Sequence, residues 1–124
     1  MKDSSFKTKS VREGQKSSNE QEHSAAIFLT SSYQFDSAEQ AAERFDKNQG
    51  NVYSRFTNPT VSAFQNKLAA LEGAEKCQAT ASGMSAIFAT IMTILKPGDH
   101  MVASRCMFGT TIVLLNSIIE KFEI

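Results

Sequence analysis

No stretch of this 124-residue chain limits its possible folds more than Lys76 to Leu95, KCQATASGMSAIFATIMTIL. Short β-compatible residues from Lys76 to Ala81 run into Ser82-Gly83. The apolar period then turns helical at Met84, Ile87, Phe88, Ile91, Ile94 and Leu95. The pattern predicts a buried strand, a tight small-residue turn and a helix beginning at Met84 or Ser85. A helix start carries main-chain N–H groups without partners and the positive end of the macrodipole, so it suits an anion. Gly83 has no Cβ to hold an anion away from the backbone, and Ser82 adds a hydroxyl donor. These residues favour a turn that holds a phosphate. A lone Ser-Gly is more often an ordinary strand-to-helix connection, and the residues by themselves leave both readings open.

The segments downstream repeat the alternation. Lys96-Pro97-Gly98-Asp99 is a turn signal. His100 to Ser104 reads as a second buried strand, and Met107-Phe108-Gly109-Thr110-Thr111 leads into a second helix with Ile112, Leu115, Ile119 and Phe122 on its inner face. Strand, helix, strand, helix is the order of a parallel α/β sheet, whose ligands gather at the carboxyl ends of the strands. The loops at Ser82-Gly83-Met84 and Met107-Phe108-Gly109 fall on that edge. Phe108 can therefore face a flat ligand held by the first loop, or simply pack in the core.

Upstream, residues 1 to about 24 are polar, with Phe6 and Val11 as the only evident anchors. They are expected to form a disordered or partner-bound arm. Ala25 to Phe35 is extended and apolar, and Ser37 opens a helix with capping-box spacing to Gln40 and an apolar face of Ala38, Ala41, Ala42 and Phe45. Asn48-Gln49-Gly50-Asn51 ends it as a turn. Asn58 and Pro59 open a third helix, with Val61, Phe64, Leu68 and Leu71 on one face and Gly73 as its C-terminal cap. Just ahead of it, Tyr53 and Arg55 lie two apart in an extended piece and share one side. Arg suits bidentate phosphate contacts and Tyr adds a neutral donor, although a surface Arg beside a half-buried Tyr explains the spacing equally well.

Composition excludes several classes. Thirteen basic residues balance thirteen acidic ones, so no overall field recruits nucleic acid or an anionic membrane surface. No apolar run is long enough to span a bilayer, and the polar N-terminus lacks the apolar stretch of a secretory signal, so the expected location is cytoplasmic. Cys77 and Cys106 show no disulfide framework, and with His23 and His100 they have no metal-ligand spacing. The chain stops at Phe122-Glu123-Ile124 directly after an apolar helix, which reads as a cut through a domain.

YSRFTNPT, followed by ASGMSAI, PGDH and FGTT in that order, resembles the pyridoxal-phosphate enzymes of Cys/Met metabolism, the trans-sulfuration family. The likeness covers roughly residues 8 to 124. The Phe-Gly-Thr-Thr form and the arm FKTKSVREGQ look most like O-succinylhomoserine sulfhydrylases. The resemblance implies an α/β fold, an N-terminal arm plus the first, incomplete part of a fold-type-I large domain. It divides the chain into an arm and intersubunit segment (1–58) and the start of the cofactor-binding domain (59–124). It also implies a homo-oligomer, a homoserine ester and sulfide as small-molecule substrates, and pyridoxal 5'-phosphate as cofactor. Ser82, Gly83 and Met84 would then bind the cofactor phosphate, and Tyr53 and Arg55 would reach the same group from a neighbouring subunit. Phe108 stands where most relatives have a Tyr that stacks on the pyridine ring, so stacking can survive but proton transfer by a phenol cannot. The family's Schiff-base lysine lies in a Ser-x-Thr-Lys motif. None of Lys2, Lys7, Lys9, Lys16, Lys47, Lys67, Lys76, Lys96 and Lys121 has that context, so the chain alone is expected to be inactive. The other expectations are a cystathionine γ-synthase or methionine γ-lyase type of enzyme, a non-catalytic partner of a full-length relative, and an unrelated phosphate-binding α/β module.

Overall fold

The computed structural model describes residues 4–47 and 49–124, so Lys2 and Asn48 of the readings above lie outside the described residues. Five α-helices follow one another: α1 (Phe6–Arg12), α2 (Ala38–Lys47), α3 (Pro59–Glu72), α4 (Gly83–Ile94) and α5 (Gly109–Ser117), with a 3₁₀ turn at Ile119–Phe122. The chain divides into two compact units, Met1–Ala79 and Thr80–Ile124.

In the first unit the polar arm is not structureless. Ser5 accepts a hydrogen bond from the Thr8 amide and opens α1, which packs against α3. The expected anchors are not what holds it, since Phe6 and Val11 are both exposed. The arm is seated instead by Gly14, in the left-handed region at φ +76°, where an added Cβ would lie 2.6 Å from the Ala63 carbonyl oxygen and 2.7 Å from the Lys67 nitrogen. Only a residue without a side chain lets two backbones approach this closely. Lys67 adds a hydrogen bond from Nζ to the Val11 carbonyl.

Ser37 caps α2 as its position suggests, accepting from the Gln40 amide at 3.1 Å. The reciprocal half of the capping box goes elsewhere, because the Gln40 side chain pairs with the amide and carboxylate of Asp36. The expected apolar face is not buried, and Ala38, Ala42 and Phe45 remain exposed. Phe45 meets the ring of Phe35, which also lies under the Arg44 guanidinium. In α3 the caps behave as the sequence predicts: Asn58 accepts from Thr60 and Val61, and Gly73 adopts φ +68°. Its buried residue is Ala69, whereas Val61 and Phe64 stay exposed, because the face turned to the arm is that of Ala63 and Lys67.

The second unit is built on an apolar cluster of Ile91, Leu114 and Ile119. Met84, Ile87, Phe88, Met92 and Leu95 of the α4 segment pack against it, as their spacing predicts, while Ile94 is exposed. The second helix is shorter than expected, with α5 ending at Ser117 and the 3₁₀ turn carrying Ile119 into the cluster. Its inner face includes Leu114 beside Leu115 and Ile119, and Phe122 reaches the ring of Phe88. The turn after α4 forms as read: the Asp99 amide donates to the Lys96 carbonyl, the Lys96 amide to the Asp99 carboxylate, and Gly98 takes φ +88°. The Gly98 amide also donates to the Glu123 carbonyl at 2.7 Å, fastening the turn to the end of the chain.

The two expected strands, Lys76–Ala81 and His100–Ser104, do not form. Among the described residues the strand-type pairing is a single antiparallel bridge between Ser32 and Tyr53. A strand exists only through the neighbour that completes its main-chain hydrogen bonds, and neither segment finds one here. No helix of the described residues is long and apolar enough to cross a membrane.

Candidate functional site

At the front of α4, Ser82 holds an extended conformation and caps the helix, its Oγ accepting from the Ser85 amide at 3.1 Å. The Ala86 amide is taken by the Ser82 carbonyl. That leaves the amides of Gly83 and Met84 with no protein acceptor among the described residues, and both are aimed along the positive end of the helix. The Ser82 and Ser85 hydroxyls lie 2.9 Å apart, which places a second hydroxyl at the same helix start. Sequence reading missed Ser85; its signal was the three-residue spacing from a Ser at an N-cap.

Gly83 is not demanded by the fold. Its φ lies outside the left-handed region, and an added Cβ would meet nothing within 4 Å. The chain itself therefore offers no steric or conformational reason for glycine at a position where alanine is the better helix former. An incoming group that must approach the main chain closely does supply a reason.

The start of α5 stands beside that of α4. The Thr111 hydroxyl, in a residue only 8% exposed, contacts the Met84 sulfur at 3.8 Å. Phe108 is the N-cap residue of α5, makes no cap through its side chain, and is 86% exposed. Among the described residues Phe108 does not pack in the core, and its ring is exposed. A cavity of about 770 Å³ lies elsewhere in this unit, among Met101, Met107, Ile112, Leu115 and Ile119. It is an open, mostly apolar groove without the free amides of the α4 start.

In the first unit Tyr53 and Arg55 are adjacent, but not in an extended piece. Residues 53–57 form a turn in which the Tyr53 carbonyl accepts from the amides of both Phe56 and Thr57, each at 2.9 Å. The Arg55 guanidinium lies over the Tyr53 ring at 5.1 Å and over the Phe56 ring at 5.4 Å. Stacking of this kind holds a planar cation without consuming its five N–H donors. Arg55 has no carboxylate partner among the described residues. It is a fixed cation with free donors, suited to a dianionic oxygen group. Phe56 was not singled out by the sequence, because nothing in its spacing separates it from a core aromatic.

One unit presents two free amides with hydroxyls at a helix start, and the other a stacked guanidinium beside a phenol. Solved structures identify the class. The chain matches the crystal structure of a putative O-acetylhomoserine (thiol)-lyase from Campylobacter jejuni, which contains N'-pyridoxyl-lysine-5'-monophosphate. The match has a TM-score of 0.87 at 29% identity, over 98% of this chain and 30% of that one. The fold is that of the N-terminal part of a fold-type-I pyridoxal-phosphate enzyme. The chain belongs to the Cys/Met metabolism PLP-dependent enzyme family, whose model matches residues 7–124.

Among curated relatives, the chain is 52% identical to the O-succinylhomoserine sulfhydrylase of Pseudomonas aeruginosa, over 96% of its own length and 30% of the relative's. It is 44% identical to an L-methionine gamma-lyase of Fusobacterium nucleatum, over 79% of its length and 25% of the relative's. It therefore spans less than a third of the relatives it matches. The cofactor of the family is pyridoxal 5'-phosphate, and the free donors described here fit its phosphate.

Proposed function

We propose that Ser82, Gly83 and Met84 hold the phosphate of pyridoxal 5'-phosphate, with Tyr53 and Arg55 of a neighbouring copy completing the grip. The observation that carries this reading is the pair of unclaimed amides at Gly83 and Met84, where glycine answers no need of the fold itself. When bound, the cofactor supplies an electron sink for chemistry at the carbons of an amino-acid substrate. The residues of this chain fix and neutralise the phosphate, and Phe108 offers a ring face to the pyridine. Phe108 carries no titratable proton, so proton transfer falls to other groups.

The whole enzyme's activity is read as that of an O-succinylhomoserine sulfhydrylase, which joins O-succinylhomoserine and sulfide into homocysteine and succinate. The identity to the Pseudomonas aeruginosa relative supports this. A methionine γ-lyase type of enzyme is the second reading, favoured by the identity to the Fusobacterium nucleatum relative. Residues 1–58 serve as the arm and intersubunit segment of a homo-oligomer, and 59–124 begin the cofactor domain. The chain by itself is proposed to be inactive, because no lysine stands in the motif that anchors the cofactor covalently.

Gly83→Ala tests the phosphate grip. The added methyl enters open space in the free protein and alanine favours the helix, so thermal stability should hold or rise slightly. Affinity for pyridoxal 5'-phosphate should fall on the order of tenfold, as expected for losing hydrogen bonds to a charged group, while affinity for phosphate-free pyridoxal is unchanged. Equal binding of the two compounds by the unaltered chain would remove the reading. Turnover of O-succinylhomoserine, or a lysine-bound cofactor absorbance from this chain alone, would overturn the proposed inactivity.

A further inference from the structure

Asn58 does more than cap a helix. Its residue is 8% exposed, and its side chain uses every donor and acceptor it has. Oδ1 accepts from the amides of Thr60 at 2.9 Å and Val61 at 3.4 Å. Nδ2 donates to the Phe28 carbonyl at 3.1 Å and to the Ser54 hydroxyl at 3.0 Å. The partners fix which end is which, since amides can only donate and the Phe28 carbonyl can only accept. Capping alone would be served as well by Ser or Asp. Neither of those can also supply two N–H donors, so the donors single out asparagine.

Those donors converge on the residue between Tyr53 and Arg55. The Ser54 amide donates to the Ser31 carbonyl at 2.9 Å, the Ser54 hydroxyl donates to the Thr30 carbonyl, and Asn58 holds that same hydroxyl from the other side. The Val52 amide donates to the Thr57 hydroxyl at 3.0 Å across the same turn. The turn is fastened at its centre, and the Arg55 guanidinium is left with ring contacts and free donors. We infer that Asn58 is a positioning residue that sets the place of Arg55 through Ser54, and so sets the strength of the grip on a phosphate. The inference rests on the reading of Arg55 as a phosphate contact.

Three variants of the full chain separate the two ideas. Asn58→Ser keeps a neutral cap acceptor and removes the amide donors. Ser54→Ala breaks the same link from the other side with the cap untouched, so it decides the matter if Asn58→Ser fails to fold. Arg55→Ala tests the contact itself. The measurements are amide hydrogen exchange along residues 53–72 and affinity for pyridoxal 5'-phosphate against pyridoxal.

Asn58→Ser and Ser54→Ala should each speed exchange of the Ser54, Phe56 and Thr57 amides by about three- to tenfold, the loss of a hydrogen bond or two, with the interior amides of α3 unchanged. Both should weaken binding of the phosphate-bearing compound by a similar factor, leave pyridoxal unaffected, and add nothing in an Arg55→Ala background. Unchanged exchange at residues 53–57 would overturn the positioning role. So would equal losses with and without Arg55, or a loss of phosphate preference in Arg55→Ala that the other two variants do not share. Retention of full phosphate preference by Arg55→Ala would instead overturn the reading of Arg55, and with it the route from Asn58 to the phosphate.

Discussion

The two units are held by different forces. In Thr80–Ile124 the order comes from apolar packing: Ile91, Leu114 and Ile119 are buried together and most nearby side chains of α4 lean on them. In Met1–Ala79 little apolar surface is buried, with Val52 and Ala69 the buried hydrophobic residues among those described. Its geometry comes from directional bonds instead. Asn58, Ser54, Thr57 and Thr60 tie the extended segment at 28–31 to the turn at 53–57 and the start of α3. Packing tolerates small displacements, whereas hydrogen bonds fix angles as well as distances. Under the proposed function, the segment that offers the Arg55 guanidinium has the second kind of order, and the segment that offers the front of α4 has the first.

The difference can be broken most strongly at Ile119, which is 2% exposed. Ile119→Ala should cost about 2–5 kcal/mol and loosen the unit around α4 and α5, read as lost amide protection there. Protection at residues 53–57 should be unaffected; a parallel loss would mean that apolar packing governs both units.

A smaller effect belongs to the first unit. Gly14→Ala forces a methyl against backbone atoms of Ala63 and Lys67 and strains a left-handed residue, at about 1–3 kcal/mol. Exchange of the α1 amides should rise while the interior of α3 stays protected. A variant whose α1 protection matches the parent would show that Gly14 does not seat the arm.

The smallest expected effect sharpens the comparison by pH. Hydrogen bonds from the Ser18 amide and hydroxyl hold the Glu22 carboxyl below its ordinary value. A carboxyl lowered in this way stabilises the folded loop above its unfolded value, and the contribution is lost as pH falls through the lowered folded value. Exchange at the Ser18 amide, corrected for intrinsic rates, should therefore rise only in acid below the ordinary glutamate range. The α4 amides, held by packing, should show no matching step.

What was legible in the sequence is what is decided locally. The Ser37 and Asn58 caps, the left-handed Gly73 and the turn at 96–99 each depend on atoms a few residues apart, and each stands where the residues put it. By contrast, α4 begins at Gly83, one residue ahead of the expected start at Met84 or Ser85, because Ser82 caps it. The strands at 76–81 and 100–104 were misread because a strand is a property of a pair, and no pairing segment meets them here. The helical arm was missed because its fixing point is a glycine against a helix some fifty residues later, and composition carries no trace of that. In the candidate site, Ser82-Gly83 and Tyr53/Arg55 could be singled out by residue chemistry and order. The stacking of Arg55 on Phe56 and the donors of Asn58 could not, since Phe28 lies thirty residues from Asn58.

The bond from Gly98 to Glu123 has its own consequence. Glu123 sits at φ +59°, a conformation that disfavours any side chain, and its carbonyl is the one Gly98 uses. The residue that follows the 3₁₀ turn is therefore tied to the loop that joins α4 to α5. Two fixings of different kinds, a directional bond at Glu123 and apolar packing at Ile119, thus act within a few residues of each other.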